Sequence, residues 1–274
     1  MLYESHCHTP LCKHASGSPT EYAEAAYRAG LTGITFTCHN PMPNGFSAHV
    51  RMGMNQWDEY QCIVAETASV WDGQLDVRLG IEADYYPGYV EFVRDQIASA
   101  PLSYVIGSIH PQTPEWKSTY RTVDPYTDQI TYFEMLADAA ETELFDCISH
   151  PDLIKNEMPG DWHEGRIAGT IAKVLDRIAA TGTAMELNTS GRYKRIPEMN
   201  PHPAMLRMMR ERNIPVVIGA DAHIPSRVGE GYLEAIDILD TAGYDEITFF
   251  VDRKPREVRI VDARNSLTPT DAKA

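Results

Sequence analysis

Seven short apolar runs alternate with seven stretches of helical character, and that rhythm constrains the fold of this chain more than any other feature. The runs are Leu2–Ser5, Gly33–Thr37, Val77–Ile81, Tyr104–Ile109, Asp146–Ser149, Ala184–Leu187 and Val216–Gly219. They are rich in β-branched and apolar residues, as strands buried on both faces are. The clearest helix opens at Ser18-Pro19-Thr20-Glu21, a capping box with proline at the first helical position, and stops at Ala29-Gly30. The others are Met54–Trp71, Tyr89–Ala98, Tyr126–Thr142, Arg166–Ala180, Pro203–Arg212 and Glu230–Ala242. Strand then helix, repeated in this order, predicts an α/β fold of parallel strands with right-handed crossovers. Seven units fit a barrel better than an open sheet. Glu246–Val251 and Glu257–Val261, on either side of Lys254-Pro255, predict a terminal hairpin. No linker or composition shift divides the chain, so residues 1–265 read as one domain and 266–274 as a flexible polar tail.

The chemistry gathers at the strand ends. Strand one ends in His6-Cys7-His8, strand two in Thr37-Cys38-His39, strand three in Gly80-Ile81-Glu82, strand four in Ser108-Ile109-His110 and strand five in Ile148-Ser149-His150. Strand seven ends in Asp221-Ala222-His223, and His14 follows closely in the first loop. In α/β folds the C-terminal ends of parallel strands are where sites assemble. Residues i and i+2 of a strand share a face, so His6 projects with His8 and Asp221 with His223. Neighbouring imidazoles repel when protonated, and a metal resolves that repulsion. Imidazole with carboxylate suits Zn, Fe or Mn. One histidine at a strand end is unremarkable; seven histidines and two carboxylates at one end of a barrel are not.

Charge and targeting signals exclude other classes. The chain has 24 Lys plus Arg against 39 Asp plus Glu, a formal net charge of −15. That argues against a nucleic-acid binder and a polybasic membrane anchor. The segment Met1–His6 has no basic or apolar signal region, and no run is long enough to span a membrane. Five cysteines without a C-x-x-C pair read as reduced thiols. A cytoplasmic protein is the expectation, and nothing in the sequence specifies an oligomer.

These residues carry a resemblance. His6-x-His8-Thr9 with His14, Thr37-x-His39, Gly80-x-Glu82, Gly107-Ser108-x-His110, His150 and Asp221-Ala222-His223 resemble the polymerase and histidinol phosphatase (PHP) family. The neighbouring words resemble its histidinol-phosphate phosphatase branch: His8-Thr9-Pro10-Leu11-Cys12-x-His14, Pro41-Met42-Pro43, Arg51-Met52, Gly80-Ile81-Glu82-Ala83-Asp84, His150-x-Asp152-Leu153 and Asn188-Thr189-Ser190-Gly191. The resemblance implies a distorted (β/α)7 TIM-like barrel with two to three divalent metal ions. It implies that His6, His8 and Asp221 hold one metal, that Glu82 bridges to a second held by His110 and His150, and that His14, His39 and His223 hold a third.

The implied function is hydrolysis of a small phosphomonoester, with L-histidinol phosphate the leading substrate and a water activated between two metals as nucleophile. Glu82, Asp221 and His223 are the candidate catalytic residues. Arg51, Arg192, Lys194 and Arg195 are candidates to bind the phosphate or the organic group, and Asp84 and Asp152 to serve as acids, supporting partners or contacts to a substrate amine. Two departures from the family pattern stand out. Cys38 replaces the usual aspartate before His39, and Arg192-Tyr193-Lys194-Arg195 shifts the register of the usual cation. The alternatives are a PHP phosphoesterase for a sugar or nucleotide phosphate, and a non-catalytic metal-binding regulatory barrel.

Overall fold

The structure, a computed structural model, describes residues 2–267. In chain order its elements are β1 (Tyr3–Cys7), α1 (Pro19–Arg28), β2 (Gly33–Phe36), α2 (Trp57–Val70), β3 (Asp76–Asp84), α3 (Val90–Ala98), β4 (Tyr104–Ser108), α4 (Pro114–Tyr120), α5 (Pro125–Glu141), β5 (Cys147–Ile148), α6 (Glu164–Thr181), β6 (Ala184–Asn188), α7 (Pro203–Glu211), β7 (Val216–Gly219), α8 (Tyr232–Ala242), β8 (Glu246–Val251), β9 (Lys254–Arg259) and α9 (Ile260–Leu267). The first seven strands pair in sequence order, all parallel. The expected seven-stranded barrel is present as a single domain.

The seam between β1 and β7 is closed mostly by side chains. At its top, Cys7 and Ala222 form a parallel bridge: His8 N donates to Ala222 O at 2.9 Å and Ala222 N to His6 O at 3.1 Å. Below it lies Glu4, 0% exposed, which accepts from the backbone N–H groups of His6 (3.0 Å), Ala220 (3.0 Å) and Gly229 (2.8 Å), and from the Tyr232 hydroxyl (2.9 Å). A similar plug fills the space between β2 and β3. There the Tyr60 hydroxyl accepts from Cys38 N at 3.2 Å and lies 2.9 Å from Phe36 O and 2.8 Å from Gly80 O.

Alternation along the strands layers the interior. Tyr104, Ile106, Cys147, Ala184 and Val217 form a small apolar core, to which the hairpin contributes Phe250. The Phe250 ring stacks on Tyr104 at 5.2 Å. Two residues further along the same faces come Ser108, Glu186 and Gly219, so the interior turns polar toward the C-terminal ends of the strands. A much larger apolar core packs the helices onto the barrel.

Several boundaries differ from expectation. β1 runs on to Cys7 and β3 to Asp84, because backbone pairing with β2 and β4 continues past the polar residues that end the apolar runs. The hairpin turns at Asp252-Arg253, both at positive φ (53° and 60°), and Lys254-Pro255 belongs to β9, where proline is tolerated on an edge. Residues 260–267 form helix α9 rather than the end of a strand and the start of a tail. The rest of the expected tail, 268–274, lies outside the described residues. Helix α4 was not expected, although Thr113-Pro114 starts it as Ser18-Pro19 starts α1, with Thr113 Oγ1 accepting from Trp116 N at 3.3 Å. Among the described residues no helix is long and apolar enough to cross a membrane.

Glu4 gives this closure a direct test. Glu4→Ala strips the acceptor from three backbone donors and a hydroxyl, each costing about 1–3 kcal/mol when left buried and unpaired. Urea unfolding should show a loss of at least about 3 kcal/mol. A loss near zero would mean that the seam does not depend on this carboxylate.

Candidate metal centre

The extended end of β3 places Gly80, Glu82 and Asp84 on one face, pointing to the mouth of the barrel. Glu82 is 1% exposed, and five imidazoles surround its carboxylate. From Oε2, His39 Nδ1 stands at 2.8 Å, His6 Nε2 at 3.4 Å and His8 Nε2 at 3.6 Å. From Oε1, His150 Nε2 stands at 3.3 Å and His110 Nε2 at 3.4 Å, and Ser108 Oγ donates to it at 2.6 Å. Asp221 Oδ1 lies 3.2 Å from His8 Nε2 and 3.8 Å from His6 Nε2. His223 stacks on His8 at 4.0 Å between ring centroids, and His14 lies 4.5 Å from His223 and 5.4 Å from His39. All nine residues singled out in the sequence, eight at strand ends and His14 in the first loop, therefore meet in one cluster.

Neighbouring acceptors aim the rings. His6 Nδ1 is 2.7 Å from Glu186 Oε1, and His110 Nδ1 is 2.8 Å from Asp84 Oδ1. His14 Nδ1 faces Cys12 O at 2.8 Å and His223 Nδ1 faces Asp221 O at 2.9 Å. In each case Nε2 is left to face the cluster, the arrangement that carboxylates and carbonyls impose on metal-binding histidines. Glu186 also accepts from His150 N at 2.8 Å and Asn188 Nδ2 at 3.0 Å. Gly219 leaves room for it: a Cβ there would collide with Glu186 Oε1 and lie 2.6 Å from His6 Cβ. Sequence reasoning passed over Glu186 and gave Ser108 no role. The available signal for Glu186 was an acid inside an otherwise apolar strand. Two cluster residues, His150 (φ 24°) and Asp221 (φ 49°), hold left-handed backbone conformations that cost on the order of 1–3 kcal/mol each.

Burial opposes charge throughout the cluster, and neighbours decide the outcome. Burial is overridden at Glu82, which His39, His6 and His110 hold well below the usual carboxylate range. It is overridden likewise at Asp221, which His6, His8, His223 and Lys194 hold down. At His39 burial wins over Glu82, and the imidazole is pushed down to about 3. At His110 the carboxylates of Asp84 and Glu82 overcome burial and lift the ring to about 10. Two ionised acids thus sit among imidazoles that compete for protons.

The donors suit divalent cations. His6 Nε2, both ring nitrogens of His8, His39 Nδ1, Glu82 Oε2 and His223 Nε2 are buried without a hydrogen-bond partner. His39 Nδ1 and Glu82 Oε2 are 2.8 Å apart yet not aligned to share a proton. Unpaired buried polar atoms are rare in native proteins, and here they face one another around negative charge. His6, His8 and Asp221 form one set of donor atoms within 4.8 Å of each other. His8, His39 and His223 form another, as do His39, Asp84 and His110.

The four expected phosphate contacts fare differently. Arg51 is 2% exposed, with Nη2 on Asp84 Oδ2 at 2.6 Å and Nη1 on Asn40 O at 3.0 Å. This corrects the expectation for Arg51: its guanidinium braces Asp84 and is not open to a phosphate. Arg192 donates to Glu234 Oε2 of α8 at 2.6 Å in a largely exposed pair. Lys194 and Arg195 are exposed with no side-chain partner among the described residues, and Lys194 is close enough to help keep Asp221 ionised. Asp84 serves His110. Asp152 is buried against Lys155 Nζ at 2.8 Å and His202 N at 2.8 Å.

Comparison with known proteins agrees with this geometry. Residues 4–190 match the PHP domain family. A protein of Deinococcus radiodurans named a probable histidinol-phosphatase is 39% identical over 254 residues, covering 90% of this chain and 96% of that protein. A histidinol-phosphatase of Bacillus subtilis is 27% identical over 266 residues, covering 84% of this chain and 96% of its own. A Lactococcus lactis histidinol phosphate phosphatase, solved with zinc, L-histidinol and phosphate, shares the fold at a TM-score of 0.78. That match has 19% identity and covers 93% of this chain and 98% of the other.

Glu186→Ala should leave the barrel folded by circular dichroism but weaken divalent-cation binding by about 10–100-fold, because His6 loses the acceptor on its Nδ1. Chelator competition measures this. Unchanged affinity would remove Glu186 from the site.

Proposed function

The chain belongs to the PHP domain family, and on that premise we propose that it is a metal-dependent phosphomonoesterase that hydrolyses L-histidinol phosphate to L-histidinol and phosphate. One observation carries the reading: the unpaired donors of His6, His8, His39, Glu82 and His223 converge on the mouth of the barrel. The substrate assignment rests on the histidinol-phosphatase relative that is 39% identical along nearly its whole length.

Two or three ions of Zn, Fe or Mn bound there would supply Lewis acidity, neutralising phosphoryl charge and making water a nucleophile near neutral pH. The protein's own residues set the geometry. Glu82, with a carboxylate oxygen on each side of the cluster, fixes the spacing between donor sets. Ser108 holds it in place through Oε1. Glu186 aims His6, and Asp84, braced by Arg51, aims His110. Asp221 contributes fixed negative charge, steadied by Ser190 Oγ at 3.0 Å. His223 has its Nδ1 on Asp221 O, and burial and His8 depress its basicity. That supports His223 as a donor of its Nε2 lone pair rather than as an acid. Lys194, near enough to Asp221 to help keep it ionised, is assigned the role of meeting a phosphate, and exposed Arg195 beside it in sequence that of steering one inward.

Purified protein assayed against histidinol phosphate, a sugar phosphate, a nucleotide and an aryl phosphate tests the substrate. Histidinol phosphate should be turned over fastest, and a rate no higher than for the aryl phosphate rejects the assignment. Chelation should abolish turnover, and a divalent cation should restore it. Glu82→Ala and His110→Ala should each lower kcat/KM by a factor on the order of 10³ or more, about 4 kcal/mol of transition-state stabilisation. Full activity in either variant sinks the mechanism. Lys194→Ala should raise KM about 10-fold with kcat little changed.

A further inference from the structure

Two cysteines lie against the histidine cluster, and the residues around them treat them differently. After β1 the chain makes a tight turn over Pro10–Cys12, closed by Cys12 N to Thr9 O at 3.1 Å, and Lys13 then takes a left-handed conformation (φ 71°). This turn buries Cys12 completely and sends His14 back over the mouth. The Cys12 sulfur and a ring nitrogen each of His14 and His223 lie within 4.8 Å of one another. A second set of donors, His8, Cys12 and Cys38, is equally close.

Two observations identify Cys12 as the sulfur with a donor role. His8, which shares the second set, is 0% exposed and has no hydrogen-bond partner on either ring nitrogen. Cys38, by contrast, is held by Thr9: its Sγ accepts from Thr9 Oγ1 at 3.2 Å and can return its proton to Thr9 O at 3.6 Å. Cys38 thereby has both a donor and an acceptor in Thr9. Cys12 belongs to both donor sets, with His14 and His223 in one and with His8 and Cys38 in the other.

We propose that Cys12 supplies a thiolate ligand, beside His14 and His223, to the outermost cation of this centre. The position would then be selective for a thiophilic ion such as Zn2+ over Mg2+ or Ca2+. On binding, the Cys12 thiol releases its proton to solvent and its sulfur lone pair forms the bond to the metal. Sulfur donors select zinc-like ions, whereas Mg2+ and Ca2+ take oxygen. The inference rests on the metal-dependent reading of the site and adds to it a ligand of a different chemical class.

Cobalt and zinc loading test it without reference to turnover. Wild-type protein loaded anaerobically with Co2+ should show a near-ultraviolet thiolate-to-cobalt charge-transfer band. Cys12→Ser should lose the band and bind the last equivalent of Co2+ on the order of 10–100-fold more weakly. Cys38→Ser, and Cys62→Ser on the exposed face of α2, should keep the band. X-ray absorption at the zinc edge of wild-type protein should show sulfur at about 2.3 Å, a readout that needs no variant to fold. Stoichiometric cobalt binding without the band, or a zinc shell of nitrogen and oxygen only, overturns the role of Cys12 and leaves the metal centre standing. Retention of the band in Cys12→Ser overturns it as well. Failure of the wild-type protein to bind either metal overturns both readings.

Discussion

An ionised carboxylate buried to 1% exposure is a constraint that the rest of this structure has to meet. Removing such a charge from water costs several kcal/mol unless partners compensate. Glu82 therefore sits where four neighbouring strands and the loops that follow them can deliver imidazoles and a hydroxyl to it. β1 supplies His6, the loops after β1 and β2 supply His8 and His39, and β4 supplies Ser108. His110 and His150 follow β4 and β5. His150 Nε2 pairs with Oε1 at 3.3 Å, but Oε2 and several of the ring nitrogens facing it stay unpaired. The fold has assembled a charge distribution that a cation completes.

Around that centre stands a layer of acids and small residues that define its shape. Glu186 points one oxygen at His6 and the other at the backbone of His150, tying β6 to two cluster residues. Asp84 does the same for His110 while paired with buried Arg51. Glu4, one step below His6 on β1, gathers backbone donors at the seam where the barrel would otherwise be open. Gly219 matters because no side chain fits between Glu186 and His6. At the other end of the barrel, Phe250 closes an apolar interior that needs no such support.

How much of this was legible depended on the kind of signal. The eight cluster residues at strand ends were readable because position at a strand end is a one-dimensional property: apolar runs mark the strands, and the residue just past each run faces the site. Boundaries were less legible. β1 and β3 extend through His6, Glu82 and Asp84, and a polar residue looks like the end of a strand until its buried partners are known. Arg51 and Arg192 read as free cations near the mouth, yet Asp84 and Glu234, distant in sequence, occupy them. Glu186 was missed for the same reason reversed: its partner His6 is 180 residues away.

Period, spacing and residue type were enough to specify seven parallel β–α units and nine donors at one end, because both follow from short-range rules of backbone geometry and side-chain alternation. They could not decide which carboxylates serve the histidines, which arginines are already paired, or which of two cysteines near His8 has its thiol engaged by Thr9. Those are contacts across the barrel between residues that closure alone brings together, and in a low-dielectric interior the partner, more than the residue type, decides what a charged group can do.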